Sequence, residues 1–198
     1  MKLKIAIFAS GAGSNAERIL QYFNLHDEVE VSLVVSNNVN AGVLDIAQKG
    51  NIASLVISKE QLMDSDFLLK ELNEIDVIVL AGFLLLIPPF LISYFHQRIV
   101  NLHPSLLPKY GGKGMYGKKV HQAVLENGEQ ETGITIHLVN EYFDEGKILA
   151  QYRVSIDKTD TVESIEQKVR KLEWAYFAPE IEKLCFSLGS LYPRCYSF

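Results

Sequence analysis

Cysteine is nearly missing from the 198-residue chain: only Cys185 and Cys195 occur, both near the C-terminal end and outside any metal-ligand spacing. That scarcity fits a reducing compartment in which thiols stay free, buried or idle, and it gives no ligand set for a metal. A basic excess is missing too. Nineteen Lys and Arg face 24 Asp and Glu, for a net charge of -5. Nucleic acid is therefore not an expected partner, because it needs a clustered basic face. There is also no uninterrupted apolar run of membrane-spanning length. The longest, residues 80–95, carries Gly82, Pro88 and Pro89 in its body and reads as buried strand, loop and helix. The apolar run at the N-terminus meets Ser10 and two glycines before a secretory core and cleavage site could form. No repeat, low-complexity tract or linker interrupts the rest. A cytoplasmic protein without membrane contact is the expectation.

With 48% hydrophobic side chains, the chain can bury one sizeable core and is short for two full domains. The expectation is a single domain over residues 1–198. Along it, strand-like and helical patterns alternate: strand 4–9, a Gly-rich turn, helix from residue 16, strand 29–35, helix 42–49, strand 53–57, helix 61–73 and strand 76–81. Residues 77–81, Val-Ile-Val-Leu-Ala, show no polar alternation, as a central strand buried on both sides requires. A helix near 88–95, a strand 98–103, a helix 119–126, strands 133–139 and 148–154, and a long helix 161–185 complete the pattern. Such alternation implies an α/β fold, doubly wound, with a mostly parallel sheet covered by helices on both faces.

Three constellations carry chemistry. The first is Gly11-x-Gly13-Ser14-Asn15-Ala16 after the first strand, which formally meets a dinucleotide fingerprint. The acid expected at the end of the second strand is replaced by Ser36-Asn37-Asn38, which weighs against a nicotinamide cofactor. The backbone N–H groups of Gly13, Ser14 and Asn15 suit a phosphate monoester at a helix N-terminus. The competing reading is a plain strand-to-helix turn with Asn15 as a helix-start residue. The second is Asn101-Leu102-His103-Pro104. Residues two apart on a strand share a face, so an amide and an imidazole point together before a Pro- and Gly-rich loop. Both groups donate hydrogen bonds, as stabilising a developing oxyanion requires, although a strand-end histidine is often structural. The third joins His137, on a strand, to Asp144 in the following acidic turn. A carboxylate beside His103 favours the imidazolium form, whereas acids in turns are commonly only solvated and His137 suits a core position equally well. Glu173, on the long helix, faces either water or the site.

At these residues the chain resembles the folate-dependent formyltransferases, in the branch that acts on glycinamide ribonucleotide. The matching pieces are residues 10–15, 80–83, 101–110, 133–137 and 143–151, in the family's order, within about residues 5–180. The resemblance implies a Rossmann-like formyltransferase fold. It also implies transfer of a formyl group from 10-formyltetrahydrofolate to the amine of glycinamide ribonucleotide in purine synthesis, with no metal and no nicotinamide. Carried onto this chain, Asn101, His103 and Asp144 would be catalytic. The Gly13, Ser14 and Asn15 backbone would hold the ribonucleotide phosphate, and Glu173 would contact the same substrate. Leu84, Leu85, Leu86, Ile87 and Asn140, with Asn101 and Asp144, would enclose the folate. The family further implies a monomer or homodimer and permits a cis Leu107–Pro108 bond.

Three places differ from the family pattern: Leu85 stands where Arg is frequent, Trp174 where His is usual, and Glu145-Gly146-Lys147 where Gly-Pro is common. Formyltransferases acting on tRNA and formyltetrahydrofolate deformylases share the Asn, His and Asp but carry a further domain, for which 198 residues leave no room. A non-catalytic nucleotide-binding module gives no reason for those three residues to occur together.

Overall fold

The computed structural model describes residues 2–191; Cys195 and residues 192–198 of the tail lie outside it. Seven strands form one sheet in the order β3-β2-β1-β4-β5-β6-β7. These are β1 Leu3–Phe8, β2 Val29–Ser36, β3 Ala53–Val56, β4 Val77–Leu80, β5 Ile99–His103, β6 Glu131–Leu138 and β7 Ile148–Ser155. The first five pair in parallel, whereas β6 and β7 run antiparallel. Seven helices complete the chain: α1 Ser14–Phe23, α2 Gly42–Lys49, α3 Lys59–Met63, α4 Ser65–Glu71, α5 Pro89–Tyr94, α6 Lys118–Glu126 and α7 Val162–Leu191.

Side chains alternate between the two faces of the sheet, which is why its central strands are apolar throughout. Ile5, Ile7, Val77 and Val79 pack with Ile19 and Phe23 of α1, Val43 of α2 and Val169, Phe177 and Ile181 of α7. Ala6, Phe8, Ile78 and Leu80 pack on the other face with Leu62, Leu68 and Leu91. The doubly wound α/β expectation therefore holds. Helix α7 continues through Pro179 to Leu191. A helix-interior proline costs about 3 kcal/mol, and the buried Phe177, Ala178, Ile181, Cys185 and Leu188 offset it.

One helical expectation is corrected. Residues 61–73 do not form a single helix, because Asp64 is extended at φ -87 and ψ 104, ending α3 and starting α4. Its carboxylate accepts from the Phe67 N–H at 3.0 Å, and Ser58 with Gln61 forms a capping box at the start of α3.

The chain crosses from β1 outward to β2, then returns to place β4 on the opposite side of β1. The loops after β1 and β4 therefore diverge and leave a crevice at the carboxyl ends of the strands. Ser10 N–H donates to the Gly82 carbonyl at 3.0 Å across its base.

Candidate active site

That crevice is a cavity of about 600 Å³. Ser14 and Asn15 line it from the start of α1, residues 82–87 from the loop after β4, Asn101 and His103 from β5, and residues 112–117 from the long loop before α6. His137, Asn140, Tyr142, Phe143 and Asp144 enter from β6 and its turn, and Glu166, Arg170 and Glu173 from α7.

Two periodicities build its polar centre. Asn101 and His103 share one face of β5, and antiparallel pairing sets them opposite His137 and Thr135 of β6. The other face of the same strands, Val100, Leu102, Ile134, Ile136 and Leu138, belongs to the core under α7. The polar four would be costly to bury unless they satisfied one another or a ligand. Thr135 anchors the loop: its hydroxyl donates to the Ser105 carbonyl at 2.7 Å and accepts from the Leu107 N–H at 3.0 Å and the Gln151 amide at 2.9 Å. Leu107–Pro108 is cis, as the resemblance permitted.

The hydrogen-bond partners assign the protons. His137 Nδ1 lies 3.0 Å from the Leu138 carbonyl, which only accepts, so Nδ1 carries the proton and Nε2 accepts from the Asn101 amide at 3.0 Å. The same amide donates to Asp144 Oδ1 at 3.3 Å. His103 Nε2 donates to the Tyr110 carbonyl at 2.7 Å, and its Nδ1 lies 3.3 Å from Asp144 Oδ2. Both ring nitrogens of His103 thus face acceptors, an arrangement fully satisfied by the doubly protonated ring. His103 is 4% exposed and His137 2%. His137 is therefore both a buried core residue and part of the cluster.

Burial works to raise the Asp144 carboxyl. The hydrogen bond from His103, the neighbouring His137, the charge of His103 and the Gly112 N–H at 3.0 Å outweigh it, holding Asp144 well below the usual carboxylate range. Asp144 and Tyr110, both at φ 58, hold the left-handed conformation that non-glycine residues rarely adopt. Two such residues meeting at one histidine mark a place where packing overrides local preference. Gly146 makes the turn possible: a Cβ there would lie 1.6 Å from the Leu138 carbonyl oxygen and 3.3 Å from His137 Nδ1.

At the other end, Gly13 caps α1 at φ 82 with no side-chain bond to the first turn. A Cβ on Gly13 would lie 2.8 Å from Val43 Cα. Its place is thus set by packing on α2, and Ser14 and Asn15 are what reach the cavity. The first-turn N–H groups lack intrahelical partners, which is the condition for holding an anion. Asn15 Nδ2 donates to Glu173 Oε2 at 2.9 Å. Burial pushes the Glu173 carboxyl up, against the Asn15 bond and the charge of Arg170. Leu85 lines the cavity as a half-buried apolar side chain, and Trp174 lies beneath the Arg18 guanidinium at 4.6 Å, joining α7 to α1.

The formyl transferase family profile matches residues 3–180. The chain belongs to the formyl transferase family. A phosphoribosylglycinamide formyltransferase, chloroplastic, of Arabidopsis thaliana is 40% identical over 190 residues, covering 92% of this chain and 65% of that protein. The chain spans less than two thirds of that relative and 61% of the similarly named protein of Vigna unguiculata. A phosphoribosylglycinamide formyltransferase of Bacillus subtilis is 34% identical over 188 residues, 91% of this chain and 94% of its own. The formyl transferase fold is shared at TM-score 0.82 and 33% identity with the phosphoribosylglycinamide formyltransferase structure from Bacillus halodurans, over 91% and 94% of the two chains.

Every expected site residue except Gly13 lines this cavity. The sequence reading passed over His121, Glu166 and Arg170, which also line it, and gave no role to Thr135 or Gln151. Residues 166, 170 and 173 fall at i, i+4 and i+7, a single helix face that periodicity could have singled out. Among the described residues no group of His, Cys, Asp and Glu is arranged to hold a metal, and no helix is long and apolar enough to cross a membrane.

Proposed function

We propose that this chain transfers the formyl group of 10-formyltetrahydrofolate to the amine of glycinamide ribonucleotide, releasing tetrahydrofolate and the formylated ribonucleotide. The observation that carries the reading is the convergence of Asn101, His103 and Asp144 in one cavity that also receives the open N-terminus of α1. Relatives bearing the name phosphoribosylglycinamide formyltransferase support it.

In this reading the Gly13, Ser14 and Asn15 backbone holds the phosphate monoester, with Glu173 beside it. The pterin lies between residues 84–87 and the turn from Asn140 to Asp144. The substrate amine attacks the formyl carbon, and the carbonyl oxygen becomes an oxyanion. Asn101 Nδ2 and His103 Nδ1 both aim a proton at Asp144, at 3.3 Å each, longer than the bonds to Tyr110 and His137. These two are the donors the formyl oxygen recruits, while the shorter bonds to Tyr110 and His137 hold the rings and amide in place. Preorganised donors of this kind supply the oxyanion stabilisation, and the cavity supplies the positioning. The amine loses a proton and the departing folate nitrogen gains one. Asp144, kept ionised, passes that proton through water. No covalent enzyme intermediate is needed, since the amine is already a nucleophile.

The test is to incubate the protein with both substrates and follow tetrahydrofolate and formylated ribonucleotide together. Equal appearance of both, lost in His103→Ala, is expected. Folate release without the formylated ribonucleotide would replace transfer by hydrolysis.

A further inference from the structure

His121 is the one histidine of the cavity that the reaction scheme above leaves without work. It sits on α6 at 3% exposure, between the buried Val120 and Val124, and its imidazole lines the cavity. Its Nδ1 is buried and has no hydrogen-bond partner among the described residues. A buried nitrogen without a partner is uncommon in a folded protein, and a ligand is one of the ordinary explanations. In either tautomer the atom is unspent, as a bare acceptor or as an unused N–H.

The charged and titratable groups facing His121 are Glu166, Arg170 and His103. Burial acts first to pull the ring below its ordinary value. Glu166 opposes that, and Arg170 and His103 add to it, so the net shift favours the neutral ring. A neutral imidazole suits an uncharged N–H or O–H better than a phosphate. Glu166 and Arg170 share a face of α7 with Glu173, which is bonded to Asn15 of the phosphate turn. His121 therefore stands on the wall joining the catalytic cluster to the phosphate end.

We propose that His121 binds the neutral middle of the ribonucleotide, an amide or hydroxyl between its phosphate and its amine, through Nδ1. The proposal rests on the assigned reaction, so the two must fail separately. Binding of glycinamide ribonucleotide alone and steady-state kinetics with both substrates should be measured for the wild-type chain, His121→Phe and His121→Asn. Phenylalanine keeps a planar aromatic ring, somewhat larger, without the nitrogens, and asparagine returns a polar group near the Nδ1 position. One neutral hydrogen bond corresponds to roughly two- to tenfold in affinity. The Phe variant should raise Kd and KM for the ribonucleotide by about that factor, leaving folate KM unchanged, and Asn should restore part of the loss. An unchanged ribonucleotide KM in the Phe variant, or an equal rise in folate KM, would overturn the proposal while the reaction stood. A wild-type chain that binds no ribonucleotide would remove both.

Discussion

Asp144 is partly buried, lies at a left-handed φ, and still stays ionised because His103, His137, Asn101 and the Gly112 N–H surround it. Replacing it by Asn leaves the size unchanged but removes the negative charge and turns one of its two acceptor oxygens into a donor. Turnover of Asp144→Asn should fall about 10²–10⁴-fold, the usual share of a positioned acid or base, and a rate within threefold of wild type would dismiss the proton-relay role. The same residue makes a pH statement. Its folded pKa is depressed, so its stabilising contribution is fully present above the unfolded value of about 3.9 and is lost as pH falls toward the lower folded value. Denaturation of wild type and Asp144→Asn at pH 7 and at pH 3 should therefore show the wild-type advantage shrinking at the lower pH; a constant difference would count against it. How much of this was legible in the sequence differs by residue. Asn101 and His103 stand out because i, i+2 spacing on a strand before Pro104 fixes a common face. Asp144 stood out only as one of several acids in its turn, and the resemblance singled it out, since its direction depends on the turn conformation and on a register shift at His137. His121 was invisible because a lone histidine on a short helix reveals its facing only through packing.

At the scale of elements, the β6–β7 turn and the α3–α4 break test different things. Gly146 approaches the Leu138 carbonyl more closely than any side chain allows, directly behind His137. Gly146→Ala must therefore shift the turn that carries Asp144. Turnover of the folded variant should drop at least tenfold, together with a lowered melting midpoint, and the loss of turnover should be absent if the turn merely connects strands. Asp64 caps α4 more than it serves the site. Asp64→Ala should cost about 1 kcal/mol of stability, the ordinary worth of an N-cap, with KM and kcat unchanged in the same assay. That break was written in the sequence as Ser58-x-x-Gln61 followed by Asp64, capping chemistry that the apolar spacing of residues 61–73 concealed. Element types elsewhere were legible, and helix 42–49 was read to its boundaries, because its glycines and apolar spacing agree with the fold. Strand direction was not. Strands β6 and β7 have the same apolar pattern in either orientation, and only the loop and α6 between β5 and β6 decide it.

For the whole molecule, the sheet brings three distant stretches of sequence to one crevice, the turn after β1, the loop after β4 and the β5–β6 face, and α7 closes the wall. Order of strands is what puts the phosphate end and the catalytic cluster in a single cavity, so occupancy should be felt by the segments that line it and not by the far side of the sheet. Among those segments, residues 111–117 belong to no helix or strand. Gly112, Gly114 and Gly117 take positive φ, and the bonds that hold this stretch include Gly112 N–H to Asp144 and Met115 N–H to the Gly112 carbonyl. Helices α3 and α4 pack under the opposite face and line none of the cavity. Saturating ligand at about 100 times Kd adds about 2.7 kcal/mol to global stability, which would slow only those amides that exchange through complete unfolding. A loop such as 111–117 is expected to exchange through local opening, so slowing there would report direct contact. Hydrogen exchange with both a folate lacking the formyl group and the ribonucleotide bound should therefore slow residues 111–117 far more than residues 59–71. Equal slowing in the two regions would mean that the loop does not close on the ligands, and that the cavity wall is already complete without them.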